Sequence, residues 1–157
     1  MSNYRLFGAM IATSTTVMLL LMYLNTYAID HVYWSETRFY MALVMGATMA
    51  VIMLSFMLGM YKSTKTNAAI FATSVAVFAG SLYLVRSQET VEDVSWMKAM
   101  IPHHSIAILT SERAEISDPR VRELADQIIE AQRKEIAEMK KLIADLEEEN
   151  SSTVASR

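Results

Sequence analysis

Three apolar runs free of any charged residue constrain this chain more than any other feature. They cover residues 6–29, 39–61 and 68–85, which is 24, 23 and 18 positions. A helix rising about 1.5 Å per residue needs roughly 20 residues to cross about 30 Å of hydrocarbon. Each run is therefore read as a transmembrane helix, the third with little room for tilt. The first is not read as a cleavable leader, because it is long, has only Arg5 before it and is followed by two further runs. Arg5, Lys62 and Lys65 fall on one side; Asp30, Glu36, Arg38 and Arg86 fall on the other. The positive-inside rule then puts the amino terminus in the cytoplasm and all that follows Arg86 outside it. The expected place is the cytoplasmic membrane of a bacterium, crossed several times, with the lipid bilayer as first partner. Tyr23, Tyr27, Tyr33, Trp34, Phe39 and Tyr40 cluster about the outer loop, as an interfacial aromatic belt does.

Within the spans, small residues recur every four positions: Gly8, Ala12, Thr16; Ala42, Gly46, Ala50; Ala72, Ala76, Gly80. Such rows let helix backbones approach closely and predict a bundle. Met41, Met45, Met49, Met53 and Met57 also recur at fours. They make either a thioether relay for Cu(I) or a flexible apolar filling, and packing is the commoner role of methionine. No ionisable residue lies inside a span, which argues against a proton-coupled or charged-substrate path.

Beyond residue 86 the character changes. Residues 87–157 hold nine basic against fifteen acidic side chains, so a water-facing acidic segment follows an apolar one and nothing resembles a basic nucleic-acid footprint. Cysteine is absent, which excludes disulfides and thiolate ligands. Thr90 with Asp93 reads as a helix cap, and Val94, Met97, Ile101, His104 and Ile108 then share one helical face. Pro102 either kinks that helix or opens a second one. Asp118 and Pro119 start the next helix, expected to run to about Glu148. Its stripe is Val121, Leu124, Ile128, Gln132, Glu135, Met139, Leu142 and Leu146, flanked by Ile136 and Ile143. The expected organisation is an anchor at 1–86, a soluble helical hairpin at 87–148 and a disordered tail at 149–157.

The chemistry concentrates at Met97-Lys98-Ala99-Met100-Ile101-Pro102-His103-His104, which holds two of the three histidines. Met100 precedes the histidines by three and four positions, and side chains at that spacing share a helical face. In an antiparallel hairpin turning near Ser117, Gln132, Glu135 and Met139 fall within about a turn of His104, Met100 and Met97. Imidazole with thioether suits Cu(I) or Ag(I), and imidazole with carboxylate suits Cu(II) or Zn(II). The structural alternative makes the histidines polar core residues. Asp30 and His31, at the outer mouth of the first span, are an accessory metal contact or, more simply, an interfacial polar pair. No Ser/His/Asp triad or phosphate loop is legible, and a cuprous oxidase ranks lowest because no substrate pocket is indicated. Two helices cannot enclose a core, so a homodimer or higher oligomer completing a four-helix bundle is expected.

The stretch Met100-Ile101-Pro102-His103-His104 followed by Ala107-Ile108, with the later Gln132…Glu135-Ile136…Met139, resembles the family catalogued as domain of unknown function 305. The resemblance covers roughly residues 90–146. It implies a ferritin-like helical domain, exported or membrane-anchored, with periplasmic copper or silver binding in some members. It also implies ligand roles for His103, His104 and Met100, with Met139 and Glu135 as further candidates and Gln132 as a supporting partner. Met97 joins them on spacing alone. The combined expectation is an all-α, membrane-anchored protein. It binds copper for tolerance or delivery, or else serves as a structural subunit of a membrane complex.

Overall fold

The computed structural model describes residues 3–155. Among them the chain is all helical: α1 (Asn3–Leu21), α2 (Glu36–Phe56), α3 (Thr64–Ser87), α4 (Asp93–Arg113) and α5 (Pro119–Ala155), with a short 3-10 turn at Ile29–His31. The contacts divide it into two compact units. One holds the chain up to Met22 together with Glu36–Thr90; the other holds Tyr23–Ser35 together with the chain from Val91 onward.

In the first unit α1, α2 and α3 are long and apolar enough to cross a membrane. The first helix is shorter than the apolar run that encodes it. It stops at Leu21, and residues 23–29 belong to the second unit instead. Hydroxyls inside the apolar helices bond to their own backbone: Thr16 to the Ala12 carbonyl, Thr48 to that of Val44 and Ser55 to that of Val51. Such back-bonding satisfies a polar group where no water is available. The central helix is α2, which packs against both α1 and α3. Its row Ala42, Gly46, Ala50 is buried as the spacing predicts. At Gly46 a Cβ would collide with the side chain of Thr15, so only glycine lets α1 come this close. The row Ala72, Ala76, Gly80 is exposed instead. On α3 the buried residues are Asn67, Ser74 and Ser81, seven apart and polar, a seam that hydropathy does not reveal.

One end of this unit is tied by polar groups. The Tyr4 hydroxyl donates to Asn67 Oδ1 at 2.9 Å, and the Asn67 amide donates to the Tyr61 carbonyl at 2.7 Å. Phe7 and Tyr61 meet edge to face beside them. Ser63 caps α3 by accepting from the Thr66 N–H. Gln88 closes α3 in the left-handed region, at φ 56°, with its N–H on the Leu84 carbonyl. Thr90 is not the cap of the next helix. Its hydroxyl pairs with that of Tyr40 at 2.9 Å, and Glu92 occupies the cap position.

In the second unit α4 runs unbroken through Pro102, which is buried. The residues about Asp118 behave as expected: its carboxylate accepts from the Arg120 N–H at 2.9 Å, and Pro119 opens α5. The two helices pack together, with Lys98 on Glu147, His104 beside Glu135 and Glu112 on Arg133. Their core is Met97, Ile101 and Ile108 against Ile136, Met139 and Ile143. The buried face of α5 is therefore Ala125, Ile136, Met139 and Ile143, with Ile129, Gln132 and Leu146 half-buried. These positions recur at 4-3-4-3-4-3, a closer match to a packing seam than the stripe read from the sequence. Val121, Leu124 and Leu142, expected in the seam, are 49%, 56% and 45% exposed. Helix α5 also continues to Ala155 where a tail was expected, with Ser151 and Ser152 bonding back to the Glu147 and Glu149 carbonyls.

Candidate metal centre

Continuity of α4 through Pro102 sets the directions of the two histidines. Successive residues point about 100° apart on a helix. His104 turns toward α5, with 17% of its side chain exposed, and His103 faces outward. Their ring centroids are 6.3 Å apart. His104 Nδ1 lies 2.9 Å from Glu135 Oε2. The same carboxylate oxygen accepts from Gln132 Nε2 at 3.2 Å. The expected register is thus met for His104, Glu135 and Gln132.

The methionines divide differently. Met97 and Met139 are buried in the core, 6% and 7% exposed, and Met100 packs half-buried against the same cluster. They belong to the apolar packing between α4 and α5. Among the described residues no three His, Cys, Asp or Glu side chains converge as a metal would require. One chain therefore supplies His104 and Glu135 as a converging pair, with His103 alongside.

Burial pushes the His104 imidazole below its ordinary pKa; Glu135 opposes the shift, and His103 adds to it. The shift favours the neutral ring, the form that ligates a metal. A half-buried imidazole nitrogen beside a carboxylate is a donor pair that a borderline or soft cation fits.

The remaining histidine has another role. His31 Nδ1 is 2.9 Å from Ser105 Oγ, which also accepts the Tyr27 N–H at 2.8 Å. Asp30 pairs with Lys140 at 2.6 Å, and Tyr33 packs on the core. Segment 23–35 is thereby fastened along one flank of α4 and α5. Ser105, His31 and Asp30 do follow one another, but they are no catalytic triad. Ser105 is fully buried, and His31 Nε2 is 3.9 Å from Asp30, too far for a hydrogen bond. The one sequence signal for this fastening was Ser105 itself, a hydroxyl between Ile101 and Ile108 on an apolar face that requires a polar partner.

A family model described as Domain of unknown function (DUF305) matches residues 88–156. A curated relative, the uncharacterized protein L153 of Acanthamoeba polyphaga mimivirus, is 36% identical over 107 residues, covering 67% of this chain and 68% of its own. A continuous match of that length includes α3 and the His103-His104 pair wherever it starts on a chain of 157 residues. No solved structure matches.

Proposed function

The chain belongs to the DUF305 family, and from that premise we propose that it is a membrane-anchored, extracytoplasmic metal-binding protein. Copper, favoured as Cu(I), is the ion, and its tolerance or delivery is the task. The observation that carries this reading is the His104–Glu135 juxtaposition, with an imidazole nitrogen 2.9 Å from a carboxylate oxygen. His104 and Glu135 would hold the ion, His103 would extend the donor set, and Met100 is the nearest thioether candidate by helical spacing. Bound metal would supply positive charge to balance the Glu135 carboxylate, with the imidazole as a neutral donor. The three apolar helices anchor this domain, with the amino terminus in the cytoplasm according to the loop charges. Helices α4 and α5 act as an antiparallel hairpin, and two hairpins form a four-helix bundle.

A second reading, a structural subunit of a membrane complex, draws on the exposed apolar residues of α5. One titration separates the two. The full chain in detergent micelles is titrated with Cu(I) against a competing chelator, beside a His103→Ala/His104→Ala variant. Binding that is tight in the first and lost in the second is expected. Equal, weak binding in both would overturn the metal reading in favour of assembly.

A further inference from the structure

The pair α4–α5 has two flanks, and among the described residues of its own unit segment 23–35 covers one of them. Segment 23–35 occupies the flank that carries Ser105 and Lys140. A second flank, about 100° from Ser105 around α4 and about 140° from Lys140 around α5, carries His104 and Glu135. Around them Trp96, Leu124, Ile128 and Leu142 are between 36% and 56% exposed. Large apolar side chains clustered on a water-facing flank mark an interaction surface.

We propose that this flank is the two-fold interface with a second copy of the chain, in which the two α5 helices run antiparallel about Glu135 and the two His104–Glu135 pairs form one shared cation site. The proposal rests on the metal reading for the shared site, but not for the interface. Three observations select a second copy. First, Ile128 lies seven residues before Glu135 and Leu142 seven after it. A two-fold axis at Glu135 therefore sets Ile128 against the partner's Leu142, so that each exposed residue covers the other. Second, the charges complement each other in that direction. Residues 120–134 carry four basic against three acidic side chains, and residues 136–149 carry two basic against five acidic. Antiparallel pairing lays the first segment on the second, whereas parallel pairing would stack the acidic ends. Third, the described residues of one chain provide no three-donor cluster, while the axis doubles the donor set to two imidazoles and two carboxylates. Two carboxylates facing across an axis repel one another unless a cation lies between them. Metal and dimer would then stabilise each other through linkage.

The absence of cysteine makes the arrangement directly testable. Ile128→Cys and Leu142→Cys variants are made in the full chain, co-expressed with different tags and oxidised in air with a chelator present. Mixed 128–142 disulfides are expected, with no self-linked product from either variant alone. Identical positions would sit 14 residues apart along the paired helices, about 21 Å, beyond the reach of a disulfide. Self-linked Ile128→Cys, or no cross-link at all, would overturn the interface. Titration of the cross-linked pair with Cu(I) then separates the two ideas. One ion per two chains supports the shared site. One ion per chain, with the cross-link intact, overturns sharing. A cross-link without copper binding refutes the metal reading and leaves the interface standing.

Discussion

His104 and Ser105 are neighbours on one helix, yet they face different partners and behave in opposite ways. Burial dominates at His104 and holds its pKa below the usual histidine value, with Glu135 offsetting part of the effect. His31 shifts the same way, through burial and the nearby Lys140. For both, the unfolded chain takes up its proton first as the pH falls. Their stabilisation is therefore complete above about pH 6.5 and is lost as the pH drops through that value toward the folded midpoints. Ring-proton resonances of His104 should titrate below 6.5, and Glu135→Gln should move the midpoint lower still, because it removes the carboxylate that favours the charged form. A midpoint that rises in Glu135→Gln would refute the contact. Ser105 is a structural acceptor. Ser105→Ala strands the Tyr27 N–H and loosens His31, so a loss of about 1–3 kcal/mol is expected for a buried donor left unsatisfied. Denaturant midpoints would read the loss, and hydrogen exchange should accelerate across residues 23–35. Unchanged exchange there would show that the segment is held by other means.

At the scale of the helix, the small-residue rows were only partly informative. The row on α2 is a contact surface and the row on α3 is not, although both have the same spacing. Spacing fixes which residues share a face, but in an apolar helix it does not tell which face meets a neighbour. The two glycines therefore make a paired test. Gly46→Ala drives a methyl group into Thr15 and should cost about 1–3 kcal/mol, as overpacking does. Gly80→Ala meets open space and should be neutral, or stabilising by up to about 1 kcal/mol through helix propensity. Unfolding of the full chain in mixed micelles measures both, and equal effects at the two sites would place the α1–α2 contact elsewhere. On α5 the sequence supplied the correct period with an offset seam. The three-and-four spacing sets Leu124 and Leu142 on one stripe with Met139, yet Met139 is buried and the two leucines are exposed.

For the molecule as a whole, the loop charges predict a topology that follows from the positive-inside rule. Reporter domains fused after Lys62 should report the cytoplasm, and those fused after the last residue should report the opposite side. The reverse pattern would place the His104–Glu135 pair in the cytoplasm and remove tolerance to extracytoplasmic copper from consideration.

The all-helical class, the three long apolar helices, the start of α5 at Pro119 and the meeting of His104 with Gln132 and Glu135 were all legible in the sequence. Each depends on composition or helical period, quantities that are local along the chain. Three features were decided only by tertiary structure. Segment 23–35 leaves the apolar run of α1 to fasten onto Ser105 and Lys140, Thr90 gives up its cap role to bond Tyr40, and the core seam of α5 shifts to Ile136 and Ile143. In each case a residue exchanged a partner close in sequence for one far away. Such exchanges depend on which surfaces come together, and the period of a single helix carries no record of that.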